Sequence, residues 1–139
     1  MPSPMPTSVV KTINALLLVL VLALACVAQA QTFSVLLTFN GANGAGPDGG
    51  VLLDDAGNIY GTTVLGGTGR CPEGCGVVYR LDSAGQETVL YTFTGGSDGS
   101  GPWAGLALDA SGNLYGTAVD GGKRCADSPA CGVVFKIIP

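Results

Sequence analysis

Cysteine and acidic side chains are the residues of this sequence that could do chemistry, because the chain contains no histidine. Mechanisms that need an imidazole, such as a Ser-His-Asp triad, a Cys-His pair or a His-ligated metal, are therefore excluded. The net charge is −4 and the pI is about 4.3. Nucleic acid is not expected as a partner, because its phosphates need a basic face.

Two closely spaced cysteine pairs are the most specific chemical signal. Cys71 and Cys75 are separated by three residues, and Cys125 and Cys131 by five. The sequence has five cysteines, and removal of a leader that contains Cys26, described below, leaves four. An even number of cysteines in an exported chain favours disulfides, and these spacings favour pairing within each loop. A four-cysteine zinc site and free or mixed thiols are the alternatives, but zinc ribbons usually separate paired cysteines by roughly two to four residues. We expect the disulfides Cys71–Cys75 and Cys125–Cys131, without a metal or cofactor.

Three aspartates begin four-residue corners that end in glycine, namely Asp54, Asp82 and Asp109. An aspartate at the start and a glycine at the end suit a type I turn followed by a left-handed residue. Calcium binding or catalysis is the functional alternative. Because no stretch has the D-x-D-x-D-G spacing of a calcium loop, we expect these carboxylates to cap their turns.

Three aromatic residues are candidate ligand contacts. Tyr60 and Tyr115 occupy equivalent positions in an internal repeat described below, and exposed tyrosine rings could stack on sugars. Packing between neighbouring sheets is the other interpretation, and it is the one we favour for both. Trp103 is the one tryptophan and lies in a glycine-rich loop. It is either a ligand contact or an anchor that folds this loop onto a sheet.

The first thirty residues have the composition of a leader that is removed. Lys11 is their one charge, residues 13–27 are almost wholly apolar, and Ala28-Gln29-Ala30 provides small residues at the first and third positions. This pattern predicts a signal helix cleaved after Ala30. An apolar run of about fifteen residues is shorter than the roughly 20 that span a bilayer. We expect a secreted, periplasmic or cell-surface protein whose mature chain has no membrane span; lipidation at Cys26 is the minor alternative.

An internal repeat covers the remainder of the chain, which we divide into residues 31–86 and 87–139. Three segments return 54 to 56 residues later: Leu36–Gly41 as Leu90–Gly95, Asp54–Thr62 as Asp109–Thr117, and Cys75–Leu81 as Cys131–Ile137. Apolar residues alternate within short segments, and helical periodicity is absent after residue 30. Each repeat therefore predicts four strands, at 33–39, 51–53, 58–64 and 76–81, and at 87–93, 106–108, 113–119 and 132–138.

The predicted fold class is all-β, with two tandem four-stranded antiparallel β-propeller-like blades that form a partial propeller after the signal helix. The second copy contains F-T-G-G-x-D-G-x-x-P-x-A-G-L, D-x-x-G-N-L-Y-G-T and C-G-V-V-F-K between Tyr91 and Ile137. It resembles the GloVer (Gloeobacter/Verrucomicrobia-type) tandem repeat of exported bacterial proteins, and the first copy matches more loosely. The resemblance implies a propeller-like exported protein and brings no catalytic residues. In contrast to the family pattern, we expect a chain of two copies without a C-terminal anchor.

Two functions of different classes follow from this sequence. The first is a non-enzymatic exported repeat protein with a binding or structural role at the cell exterior. The alternative is an exported hydrolase that acts on polysaccharide, which would need paired carboxylates, one with a raised pKa. Because turn capping accounts for Asp54, Asp82 and Asp109, and Glu73 and Glu87 have no repeated partner, we expect no enzyme. Two blades leave terminal faces open, so the expected partners are further copies, further repeats of a longer chain, or a glycan or other cell-surface ligand.

Overall fold

A computed structural model of the chain describes residues 6–9, 11, 12, 14, 31–123 and 131–139. The chain divides into two compact units, Met1–Ser34 and Val35–Pro139. The described residues 7–9, 11, 12 and 14 of the first unit are helical. The apolar run of the predicted leader and its cleavage site at Ala30 lie outside the described residues. Across the described part of the chain, no helix has the length and apolar character that would cross a membrane.

The second unit is built from two antiparallel β-sheets. In the first sheet, the order is β1 (Leu52–Leu53), β2 (Ile59–Thr63), β3 (Val77–Leu81) and β4 (Glu87–Thr92). The second sheet contains β5 (Ala107–Leu108), β6 (Leu114–Ala118) and β7 (Val133–Ile137), also in chain order. The prediction of antiparallel β-structure is confirmed. The sheets do not close on one another within the described residues, so a propeller is not established by them.

The first sheet takes its fourth strand from the second sequence repeat. β4 begins at Glu87, yet it pairs with β3 from the first repeat. The equivalent segment of the first repeat, predicted as a strand over 33–39, is not a strand in the structure. The second sheet consequently has three strands rather than the predicted four. The physical reason is that a strand needs a neighbouring edge for its backbone hydrogen bonds, and no sheet precedes the first repeat among the described residues.

The strand registers show which side chains share a face. Tyr60 lies opposite Arg80, Thr62 opposite Val78, and Val78 opposite Tyr91, so these residues share the inner face of the first sheet. In the second sheet, the inner face is formed by residues on β6 and β7: Leu114, Gly116, Ala118, Val133, Phe135 and Ile137.

These two inner faces form the hydrophobic core of the unit. Tyr60, Val78, Leu114 and Ala118 are buried together there with Phe93, which follows β4. The residue of the second sheet equivalent to Val78 is Val134, which lies on the opposite face from the core. The two sheets therefore stack in the same orientation. The face of the first sheet that carries Val78 is covered by the face of the second sheet that lies opposite to Val134.

Close packing of an aromatic ring over a glycine recurs in both sheets. A Cβ atom at Gly61 would clash with the ring of Tyr79, and one at Gly116 would clash with the ring of Phe135. Both pairs are directly opposite in the strand registers. The glycine is required because the ring of the neighbouring strand occupies the space that any side chain would fill.

Candidate binding surface

The Asp54 carboxylate caps the turn between β1 and β2. Its Oδ1 accepts the backbone N–H groups of Ala56 at 3.0 Å and Asn58 at 2.8 Å. Its Oδ2 accepts the Asn58 side-chain amide at 2.8 Å and the Tyr60 hydroxyl at 3.1 Å. The pKa of Asp54 is lowered, chiefly because the Asn58 amide stabilises the ionised form. Both oxygens are therefore committed to the turn.

Asp109 repeats this arrangement between β5 and β6. Its oxygens accept the backbone N–H groups of Ser111 and Asn113, both at 2.9 Å, the Asn113 amide at 2.7 Å and the Tyr115 hydroxyl at 2.9 Å. These contacts, led by the Asn113 amide, lower the pKa of Asp109 to about 2. Asp82 caps the β3–β4 turn more simply, with Oδ1 accepting the N–H groups of Ala84 at 3.0 Å and Gln86 at 2.8 Å.

Asp98 is a fourth capping carboxylate, in the loop that follows β4. Its Oδ2 accepts the Tyr91 hydroxyl at 3.0 Å and the Thr94 backbone N–H at 2.8 Å, and its Oδ1 accepts the Thr94 hydroxyl. Burial raises the pKa of Asp98, but the hydrogen bonds from Thr94 and Tyr91 outweigh it and leave the pKa lowered. A threonine four residues before an aspartate was the available sequence signal.

The structure does not bring the three aromatic candidates together as one open platform. Tyr60 is 6% exposed, and its ring packs in the core between the two sheets, where a ligand does not reach it. Tyr115 is half-buried, and the Lys136 ammonium lies 5.5 Å from its ring centre. Trp103 is 57% exposed in the loop before β5. Of the three rings, Trp103 is the most accessible.

One of the two predicted disulfides lies within the described residues. Cys71 and Cys75 are bonded across the loop between β2 and β3, with their Cα atoms 5.2 Å apart. Cys75 is buried beside Val78 and Phe93 in the core cluster. The disulfide therefore ties the β2–β3 loop to the core. Cys125 lies outside the described residues, and its bond to Cys131 stays a prediction.

The largest difference between the two sheets is the exposure of equivalent faces. We call the side of the second sheet that points away from the core the outer face; its residues are Ala107, Tyr115, Thr117, Val134 and Lys136. Thr62 and Val78 are 1% and 0% exposed in the first sheet. Their equivalents Thr117 and Val134 are exposed, and Val134 reaches 81%. The outer face carries the same kinds of side chain as the equivalent face of the first sheet, which the second sheet covers.

A groove of about 290 Å³ lies beside β7, where the second sheet ends. Tyr91 and Phe93 form one side, and Phe135 and Ile137 form the other, so the groove lies between the two sheets. Tyr91 is 38% exposed at this position. The groove is thus a mainly aromatic and aliphatic recess next to a strand edge. Ser97, Asp98 and Lys136 are among its polar lining residues.

The described residues combine apolar contact surfaces with three carboxylates whose pKa values are lowered. No group of three or more potential metal ligands is found among the residues that the structure describes. A general acid needs a raised pKa, whereas Asp54, Asp98 and Asp109 have lowered values. The aromatic groove, the outer face and the exposed Trp103 instead provide apolar contact area.

Comparison with known proteins gives one match. A family model described as the Gloeobacter/Verrucomicrobia repeat matches residues 24–139. No curated protein and no solved structure matches the chain significantly.

Proposed function

Since the chain belongs to the Gloeobacter/Verrucomicrobia repeat family, we propose that it is an exported, non-enzymatic repeat protein with a binding or structural role at the cell exterior. In this proposal the two sheets are successive propeller-like blades of a larger array. Its partners are further sheets of the same kind, supplied by other copies or by further repeats. A glycan or another cell-surface ligand on the outer face is the second kind of partner.

The observation that carries this proposal is the exposure of Val134 on the outer face. Its equivalent in the first sheet, Val78, is completely buried by the second sheet. Val134 is 81% exposed, and Tyr115 is less buried than its equivalent Tyr60. Burying an apolar side chain of this size contributes about 1.5–3 kcal/mol, so covering the outer face would favour association.

The carboxylates support a role without catalysis. A polysaccharide hydrolase would need two acidic groups about 5–10 Å apart, one of them with a raised pKa. Asp54 and Asp109 use both oxygens within their own turns, and their pKa values are lowered. The same hydrogen bonds that fix the turns thus favour the ionised form, which cannot act as a general acid.

Two features support export. The Cys71–Cys75 disulfide suits an oxidising compartment, because cytosolic thiols are kept reduced. The apolar run after Lys11 and the Ala28-Gln29-Ala30 sequence suit a cleaved leader. We propose that the mature chain begins at Gln31 and is secreted or held in the periplasm or at the cell surface. Lipidation of Cys26 is the alternative processing.

Export is tested by expressing the full reading frame in a bacterial host and sequencing the N-terminus of the periplasmic product. A first residue of Gln31 would support leader cleavage. A first residue of Met1 would contradict export, and a lipid-modified Cys26 would replace the proposed cleavage.

The binding role is tested on the same purified protein by sedimentation velocity over a range of concentrations, beside a glycan array and chromogenic glycosides. Val134→Asp places a charge on the outer face, whereas Val51→Asp, at a side chain that is 68% exposed outside the strands, is the matched control. We expect Val134→Asp to weaken association or glycan binding at least tenfold and Val51→Asp to leave it unchanged. Glycoside hydrolysis that survives repurification would overturn the non-enzymatic proposal.

A further inference from the structure

Among the described residues, no strand pairs with the edge of the second sheet at β7, whereas the equivalent edge in the first sheet is paired with β4. β7 (Val133–Ile137) repeats the sequence of β3 (Val77–Leu81), which has a neighbour on each side, β2 and β4. Within the described residues, β7 pairs only with β6. An unpaired strand edge presents a row of backbone N–H and C=O groups to an incoming strand.

The sequence equivalent of β4 in the first repeat lies outside the strands and is exposed except at Leu37, which is half-buried. Val35-Leu36-Leu37-Thr38 corresponds to Val89-Leu90-Tyr91-Thr92 of β4, with one difference in four positions. Val35 is 69% exposed and Leu36 is 63% exposed. Residues 35–38 belong to no strand in the structure. Among the described residues, β7 therefore has an open edge, and residues 35–38 have the sequence of a strand without pairing to an edge.

The space beside β7 suits such a strand. The groove of about 290 Å³ runs along β7 between Phe135 and Ile137 on one side and Tyr91 and Phe93 on the other. A strand added to β7 would place alternate side chains over this groove and the others on the outer face. The contact would continue the existing interface between the sheets, in which the inner face of the second sheet covers the first.

We propose that residues 35–38 of a second copy of this chain add to β7 as the antiparallel fourth strand of the second sheet. The inference rests on the association role proposed above and names the element that carries it. The strand supplies backbone hydrogen bonds to the edge, with Val35 on the groove side of the sheet and Leu37 on the outer face. A separate ligand is not needed to complete the sheet.

The pairing of β3 with β4 fixes the register of the added strand. Tyr91 lies opposite Val78 and Val89 opposite Tyr79, with a register shift between these pairs at Leu90. By equivalence, Leu37 of the second copy lies opposite Val134, and Val35 lies opposite Phe135. Leu36 takes the place of Leu90 at the shift.

This contact is heterologous, because the donor segment and the acceptor edge are different parts of the chain. Each copy that donates residues 35–38 still has its own β7 edge to offer. Copies therefore add head to tail, and the assembly ends as a ring where the rotation closes or grows as a fibre where it does not.

The register is tested by disulfide trapping between two differently tagged full-length proteins that are purified from the periplasm and mixed. One carries Leu37→Cys and the other carries Val134→Cys. The control partner carries Thr117→Cys, which lies opposite Val134 on the neighbouring strand β6, one strand in from the edge. We expect a mixed disulfide between positions 37 and 134, mapped by mass spectrometry, at a yield at least tenfold above the 37–117 pair.

A second variant tests whether the added strand drives association. Val35→Pro removes a backbone N–H and restricts an exposed segment outside the strands, so the fold of the monomer should survive. Thr32→Pro, just before the segment, is the control. We expect Val35→Pro to raise the dissociation constant at least tenfold by sedimentation, with no change in circular dichroism.

Association that persists without the 37–134 disulfide and without sensitivity to Val35→Pro would overturn the strand-addition inference and leave the association role standing. A chain that stays monomeric at every concentration would overturn both. An excess of a synthetic peptide of residues 33–39 should compete with assembly, which distinguishes edge pairing from contact through the outer face alone.

Discussion

The ring of Phe93 lies edge-on against the ring of Phe135, with their centroids 5.2 Å apart and an angle of 68° between the ring planes. Phe39 and Tyr79, at the equivalent positions of the first repeat, have centroids 5.1 Å apart and an angle of 70°. Each repeat therefore packs its early phenylalanine on the last strand of the same repeat. The residues just before Phe93 pair with the preceding sheet, so one short segment ties two sheets together.

We expect Phe93→Ala to lower the free energy of unfolding by about 3–5 kcal/mol, because Phe93 is completely buried in the core cluster. Val51→Ala, at a residue that is 68% exposed, is the control and should change stability by less than about 0.5 kcal/mol. Urea unfolding followed by circular dichroism measures both. A Phe93→Ala effect as small as that of the control would show that this ring does not hold the sheets together.

The lowered pKa of Asp109 predicts a pH dependence of stability. Its folded pKa is about 2, below the unfolded value of about 3.9, so the native state favours the ionised form. The stabilisation is fully present above the unfolded pKa and is lost as the pH falls through about 2. We therefore expect the stability difference between the native sequence and Asp109→Asn to shrink as the pH falls from about 4 to 2.

The pH experiment compares urea midpoints of the two proteins at several pH values in this range. Asp55→Asn is the control, because it removes a carboxylate from the equivalent turn of the first repeat without removing a hydrogen bond described there. A constant difference between Asp109→Asn and the native sequence across the range would contradict the assigned pKa. A carbon-13 titration of Asp109 provides the direct check.

The strands that follow from local signals were predicted well from sequence. Residues 58–64 and 76–81 were expected as strands, and the structure has β2 at Ile59–Thr63 and β3 at Val77–Leu81. Alternation of apolar residues marks such strands, and the Asp-to-Gly corners mark their turns. Both signals lie within a few residues of the element that they define, so one sequence is sufficient to find them.

The pairing of β4 could not be predicted from those signals. Glu87–Thr92 was correctly expected to be extended, but the choice of a neighbour depends on contacts far along the chain. The same limit explains the failure at 33–39, whose apolar alternation is that of a strand although no described edge receives it. The burial of Tyr60 likewise depends on how the second sheet stacks, which its own turn does not reveal.

We expect Gly116→Ala to destabilise the second sheet. A Cβ atom there would clash with the ring of Phe135 and lie 2.9 Å from Leu106 Cδ2, and overpacking of this kind costs about 1–3 kcal/mol. Gly50→Ala is the control, since no atom lies within 4 Å of its added Cβ and its φ is not positive. The double variant Gly116→Ala with Phe135→Leu should lose less stability than the sum of the two single variants. Additive losses would show that the ring does not occupy this space.

The Cys71–Cys75 disulfide closes a short loop, so its contribution to stability should be modest. In the chain-entropy account, a loop of this size stabilises the folded state by roughly 2 kcal/mol. We expect the Cys71→Ala/Cys75→Ala double variant to lose at least this amount in urea unfolding, because it also removes the buried Cys75 side chain. Because Cys75 is buried beside Val78 and Phe93, Cys75→Ala alone should cost more than Cys71→Ala alone. Equal losses in the two single variants would mean that the covalent bond, rather than the packing of Cys75, accounts for the whole effect.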